Sequence, residues 1–435
     1  MTSTTGDGFA AEPSAHAATD ARGRLLAADG TPLKQSLAKA LRRQKLRAFL
    51  LVSPLLFFVL ITFIAPIADM LMRSVENDIV PDTLPRTVEA LAGWDATSGE
   101  LPDETVYAAL AEDLVIAVEA KQHTKLGSRL NYETSGMASL FRKTGRRVAK
   151  FEAPFKEAFI DRDDDWGELE TWQTIKRLSG AYTQSYFLTA ADLQQTPEGE
   201  IEAMPEDEAI YLFLFERTLW LSITITFTCL ILGYPIAWLL SNLPLRTSNL
   251  LLILVLLPFW TSLLVRTSSW IVLLQQEGVV NDMLVTVGIL SDDGRLQMMF
   301  NQTGTIIAMT HILLPFMILP LYSVMKTIPP TYLRAAKSLG ATDWTAFWRV
   351  YFPNTIPGIG AGAILVFILS IGYYITPELV GGTEGIFISN RIAYHISSSL
   401  NWGLAAALAS LLLIVVLGLY WLYDRIVGID NVKLG

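Results

Sequence analysis

The side chains that could do covalent or metal chemistry are few and poorly spaced for it. His16, His123, His311 and His395 are scattered along the chain with no HxxxH or HExxH pair, so no His-ligated metal centre is expected. The single cysteine, Cys229, falls inside an apolar run, where simple packing is its expected role. DRDDDWGELE at 161–170 looks like a calcium loop, but that pattern wants Gly at its sixth position and Glu at its twelfth. Trp166 and Trp172 stand there instead, so a solvated acidic turn is expected. No G-x-x-x-x-G-K-[ST] phosphate loop occurs. What remains is the chemistry of docking and passage. The amphipathic stretch RAAKSLGATDWTAFWRVYFP at 334–353 lies between two strongly apolar segments, and polar or aromatic residues punctuate the apolar runs. Because charge inside a membrane is expensive, such residues are functional candidates.

The elements that must position these residues are membrane spans. Hydrophobic residues fill 51% of the 435 positions and charged residues only 17%, with a mean hydropathy of +0.39, the profile of a membrane chain. A net charge of −9 argues against nucleic acid as a partner. Residues 1–33 carry no apolar periodicity and read as a disordered tail. Lys34, Lys39, Arg42, Arg43, Lys45 and Arg47 then lead into AFLLVSPLLFFVLITFIAPIADMLM, a run long enough to cross a hydrocarbon core of roughly 30 Å. It exceeds the roughly 7–15-residue core of a signal peptide and lacks a small-x-small cleavage site.

Further runs at about 216–240, 248–275, 304–325, 355–377 and 403–427 give six spans with both termini cytoplasmic. The loops agree with this topology: Arg246, Lys326, Arg334, Lys337 and Arg349 fall on the inside, while loops 276–303 and 378–402 carry only Arg295 and Arg391 beside several acids. The expected organisation is a cytoplasmic tail at 1–47, a first span at 48–73, an extracytoplasmic insert at 74–215, a five-helix core at 216–427 containing a cytoplasmic loop at 326–353, and a cytoplasmic tail at 428–435.

The insert is too long for a plain loop and reads as a small, mostly α domain. Val106, Leu110, Leu114 and Val118 recur at helical spacing, and Trp94, Trp166, Trp172 and Phe187 supply core material. Within the spans, Arg266 could snorkel to the headgroups or face the bundle, where Glu378 is a possible partner. Trp260, Tyr373 and Tyr374 could line a path that tolerates cations, at about 0.5–2 kcal/mol each, and aromatic-belt anchoring explains them equally well.

The amphipathic stretch divides into two short helices. KTIPPTYLRAAKSLG has Thr327 as an N-cap, two prolines near the first turn and Gly340 to end it; DWTAFWRVYF starts near Asp343 and stops before Pro353, with Trp344, Phe347, Trp348 and Tyr351 on one face. A pair lying on the lipid surface would account for this composition. The spacing is more specific. Ala335 and Ala336, then Gly340, then Val350, Phe352 and Pro353 resemble the cytoplasmic loop of permease subunits in binding-protein-dependent ABC importers, whose pattern runs E-A-A, three residues, Gly, nine residues, I-x-L-P. Arg334 stands where the family carries an acid, which leaves open any ionic contact made there. LPFWTSLLVRTSSWIVLLQQEGVVN, LLPFMILPLYSVMKTIPPTYLRAAKSLGA and YYITPELVGG extend the resemblance to the spermidine/putrescine-type branch over roughly 216–427 and the first span.

The resemblance implies an all-α polytopic permease of type I ABC importer architecture in a bacterial inner membrane, a transport subunit rather than an enzyme. It implies two copies of an ATPase subunit that carry ATP and Mg, a second and non-identical permease, and an extracytoplasmic solute-binding protein. The implied coupling loop contains Arg334, Ala335, Ala336, Gly340, Asp343 and Pro353, and the implied solute is a small cation such as spermidine or putrescine. Opines, phosphonates and ferric iron are handled by similar permeases, and a secondary transporter would need no ATPase. The insert has no counterpart in shorter members of the family.

Overall fold

A computed structural model of the chain describes residues 33–196 and 199–427. The tail before Leu33, the side chains of Lys34 and Lys39, and residues 428–435 lie outside the described residues. The described chain is mostly helical, and its strands pair in one small hairpin, Leu193–Gln195 against Ile201–Ala203.

Five helices are long and apolar enough to cross a membrane: Leu41–Met72, Tyr211–Asn242, Gln302–Thr327, Asp343–Gly372 and Trp402–Arg425. The expected third span is not straight. Leu245–Trp260 and Leu263–Thr286 meet at 95°, so it is a bent pair, and the six-span count holds only if that pair is one span. The break has a local cause. Pro258 sits in a short 3₁₀ turn, Thr261 is extended, and the Ser262 hydroxyl accepts from the Val265 N–H at 3.2 Å, starting a new helix.

A second departure concerns the helix expected to stop before Pro353. It runs on into the fifth span, because Phe347–Tyr351 form a π-helical segment directly before Phe352–Gly372. Proline clashes with the carbonyl four residues back in a regular α-helix, and a wider turn relieves that clash. The first span repeats the device, with a π segment at Leu60–Ile64 ahead of Pro66.

From Met70 onward the chain forms one compact unit. The insert folds seven α-helices, from Ile79–Thr83 to Leu169–Arg177, around a core in which Val106, Leu110, Leu114, Trp166 and Trp172 are buried, with Trp94 and Val118 packed against it. Tyr107, Phe159, Trp166 and Trp172 meet edge to face or tilted at 4.5–5.9 Å between ring centres, contacts worth about 0.5–1.5 kcal/mol each beyond burial. DRDDDWGELE does make a turn, but Trp166 from it is fully buried and donates to the Thr144 hydroxyl at 2.8 Å, so the segment is pinned to the core.

Phe187 does not join that core. With Tyr186 and Ala190 it packs on Tyr211, Leu214, Ile388, Leu404 and Leu408, apolar residues of the second and last spans and the helix Ile388–Ser397. Polar contacts close the same seam. Both Asp192 carboxylate oxygens accept from the first backbone N–H groups of the second span, Tyr211 at 2.8 Å and Leu212 at 2.7 Å. Tyr132 donates to the Ser399 carbonyl at 2.8 Å, and the buried His395 ring bridges Tyr211 at 3.0 Å and Ser399 at 2.8 Å.

The second, fourth and fifth spans share the largest bundle core, with Leu221, Ile225, Cys229, Met309, Leu313, Met317 and Val366 buried in it. Cys229 is packed as expected, its thiol facing the Thr310 carbonyl. At the end away from the insert, Lys326 donates to the Ser241 carbonyl and Tyr234 meets Thr355. The 326–353 segment therefore leaves the bundle at the opposite end of the second span from the insert.

Two consequences of the seam can be measured. A Cβ at Gly403 would fall inside the Tyr186 ring, so Gly403→Val is expected to cost about 1–3 kcal/mol. It should lower the thermal midpoint in mild detergent, and adding Tyr186→Ala should recover part of the loss. Burial, with Arg391 nearby, pushes the His395 imidazole down to about 4. An opened, solvated ring with a pKa near 6.5 takes up its proton first, so seam stability is complete above about pH 6.5 and falls as pH drops toward 4. The thermal midpoint should decline between pH 7 and 5, by the equivalent of about 2 kcal/mol at most, and His395→Gln should flatten the decline.

Candidate coupling loop and solute path

The loop between the fourth and fifth spans is a short helix, a reversal and the start of the fifth span. Thr327 is the last residue of the fourth span rather than a cap; Pro329 takes the N-cap position and the helix runs Pro330–Ser338. Gly340 ends it as expected. With φ +90° it lets its own N–H reach the Lys337 carbonyl at 3.0 Å and the Ala341 N–H reach the Ala336 carbonyl at 3.1 Å, the paired bonds of a Schellman stop. A Cβ there would meet nothing within 4 Å, so the glycine is required by its backbone angle and not by space. Thr342 caps the next helix through the Thr345 N–H, and Lys337 pairs with Asp343 across the reversal.

The loop has an inward and an outward face. Ala336 and Ala346 are buried, Tyr351 reaches the bundle core, and Phe347 stacks on Tyr351 at 5.7 Å. Arg334, Ala335 and Pro353 are exposed, as are Leu339 at 90% and Trp344 at 72%. Trp344 and Trp348 pack edge to face at 5.6 Å, making an aromatic ridge. The expected aromatic face is thus split between the bundle and the exterior.

The path candidates are brought together only in part. Arg266 lies one turn past the Ser262 cap, in the second half of the bent pair rather than deep in a straight span. Its neighbour Thr267 meets Thr376 at 3.2 Å, which sets it beside the helix Ile375–Val380. Arg266 lies near His311 and Tyr373, while its buried Nε and Nη1 have no hydrogen-bond partner among the described residues. Glu378 does not pair with it. That carboxylate accepts from Asn390 at 2.6 Å, and Asn390 also donates to the Tyr374 carbonyl at 2.9 Å. Tyr373 is half-buried at the end of the fifth span, Tyr374 is exposed, and Trp260 stands 87% exposed at the break.

Several partners went unread in the sequence. Asn390 fixes the turn after the fifth span, and Trp270 donates to His311 Nδ1 at 3.1 Å; single polar residues in apolar runs gave no sign of either contact. The break before Arg266 did leave one, since Pro258 followed by Thr261 and Ser262 is a helix stop and a cap.

The described chain thus joins a helical membrane core with a bent third segment to an exposed two-helix loop. Residues 221–427 match the family described as the binding-protein-dependent transport system inner membrane component. The spermidine/putrescine transport system permease protein PotB of Escherichia coli is 35% identical over 225 residues, 51% of this chain and 81% of that protein. PotB of Haemophilus influenzae is 36% identical over 216 residues, 49% of this chain and 75% of that protein. The molybdenum transport system permease protein ModB of Mycobacterium bovis is 28% identical over 195 residues, 45% and 71% of the two chains. A crystal structure of a bacterial ABC transporter involved in the import of the acidic polysaccharide alginate matches 53% of this chain and 85% of its own, at 20% identity and a TM-score of 0.42. The chain belongs to the binding-protein-dependent transport family: it is an inner-membrane permease subunit of an ABC importer, of the polyamine-type branch.

Arg266 makes no ion pair among the described residues, so replacing it should cost little stability. Arg266→Gln is expected to leave the thermal midpoint unchanged while lowering uptake by roughly tenfold or more, a barrier change of about 1.4 kcal/mol. A fall in both together would assign the residue to packing.

Proposed function

We propose that this permease carries a small cationic solute of the polyamine class, delivered by an extracytoplasmic binding protein and driven by two copies of an ATPase subunit that hold ATP and Mg. The observation that carries this reading is the 35–36% identity to spermidine/putrescine permeases over about half of the chain. A second, related permease completes the pore. Both termini and the 326–353 loop face the cytoplasm and the insert faces outward, a placement favoured by the distribution of basic residues.

In the proposed cycle, Pro330–Ser338 and the ridge of Leu339, Trp344 and Trp348 seat in a groove of the ATPase. Closure of the ATPase pair then pulls on Asp343–Gly372, which is continuous with the loop, and tilts the fifth span against the second and fourth. Access alternates because ATP and solute each favour one of two packings. Exposed apolar area on this loop supports a docked partner.

A second reading has one observation in its favour. Arg266, charged and lacking an acid, would repel a polyamine and attract an anionic or carboxylate-bearing solute such as an opine or a phosphonate. The two are separated by titrating the copurified binding protein with spermidine, putrescine and anionic solutes. Polyamine binding with no anion binding supports the first reading, and the reverse overturns it.

Coupling is tested at Gly340. Asn tolerates a left-handed backbone and a β-branched residue does not, at roughly 1–2 kcal/mol. Gly340→Asn should retain most ATP-driven uptake, whereas Gly340→Val should abolish it with membrane insertion intact. Equal uptake by both variants would remove the coupling role.

A further inference from the structure

A cleft of about 570 Å³ opens where the insert meets the start of the last span. Its level is set by the chain on both sides: Arg73 follows Met72, the last residue of the first span, and Trp402 is the first residue of the last. The end of an apolar span is where lipid headgroups are expected.

The lining carries charge of both signs. Arg129, buried at the back, is already committed: its guanidinium donates to Asn77, Glu133 and Ser185 at 2.9–3.2 Å and lies 4.6 Å from the Tyr186 ring centre. It forms a fixed wall. The side chains of Glu76, Asp78 and Lys125, by contrast, make no ion pair or hydrogen bond among the described residues. Two uncommitted carboxylates and one uncommitted ammonium group therefore share a single cleft. The hydroxyls of Thr124 and Ser128 lie beside Lys125 in the same wall. The lip is apolar, with Ile79 40% exposed, Leu400 64% and Trp402 44%.

We infer that this cleft binds the headgroup of a zwitterionic aminophospholipid. The phosphate meets Lys125 and the adjacent hydroxyls, the primary ammonium meets Glu76 and Asp78, and the acyl chains leave over Ile79, Leu400 and Trp402. A simple cation would confront Lys125, and a simple anion would confront the two carboxylates. The ammonium of ethanolamine donates three hydrogen bonds, which a quaternary choline cannot, so ethanolamine lipids are preferred. Lipid held here fills the gap between the insert and the membrane surface, and so sustains the seam made by Tyr132, Tyr186 and Gly403.

The test is native mass spectrometry of the full chain, purified with whatever subunits accompany it. It is delipidated in mild detergent and titrated with phosphatidylethanolamine, phosphatidylcholine and phosphatidylglycerol of the same acyl chains. Phosphatidylethanolamine should bind at concentrations at least about fivefold below the other two. Lys125→Asp and Asp78→Lys, both surface changes whose folding is checked by thermal midpoint, should each erase that preference, and the double exchange should restore part of it. Equal binding of the three lipids, or a preference unchanged in the variants, overturns the inference. So does displacement of the lipid by glycerophosphoethanolamine at equal concentration, which would make this a site for a soluble headgroup, or by spermidine, which would make it a solute site.

Discussion

The two hydrogen bonds from Tyr211 and Leu212 to the Asp192 carboxylate hold the molecule's two halves in one frame. The second span is the element on which the fourth and fifth pack, and the first N–H group of its helix is buried at the seam with the insert. A helix's first N–H groups have no partner within the helix, and leaving one buried and unsatisfied is costly. Taking the acceptor from the insert ties its fold to the bundle. Asp192 itself has φ +56°, a backbone angle that Asp tolerates better than most residues. The surrounding contacts of Tyr186, Tyr211, His395 and Gly403 build on that junction.

The same logic of backbone satisfaction explains how the bundle bends. Proline removes a hydrogen bond and crowds the preceding turn. Before Pro66 and Pro353 the helix widens into a π segment and continues, whereas after Pro258 the chain breaks and Ser262 begins a new helix. The first solution keeps the helix continuous, so the second helix of the loop and the fifth span are one element, Asp343–Gly372. The second leaves a corner, and Arg266 sits one turn past it with two unpaired guanidinium nitrogens.

These features place the continuous loop helix and the Arg266 guanidinium at separate ends of one bundle. At the loop end, a reversal fixed by Gly340 leads into a helix that is continuous with the fifth span, the geometry that the proposed docking role uses. At the insert end, the turn held by Asn390, the pair Thr267 and Thr376, and the insert seam surround the region where Arg266 and Tyr373 lie. A permease needs such a separation, since energy and solute arrive from opposite sides.

The sequence by itself determined the membrane class, the positions of the long spans, a helical insert and the family. It also located the helix stop at Gly340, where a local backbone angle admits few residue types. Each of these depends on patterns within a few turns of chain, where hydrophobic run length, caps and glycine act directly. Tertiary structure alone decided that Phe187 leaves the insert core for the spans, that Glu378 turns to Asn390 and not to Arg266, and that the aromatic face of the loop divides between bundle and exterior. Those outcomes depend on which surfaces meet in three dimensions, and a contact made across a turn or between separate helices leaves no periodic mark on either segment.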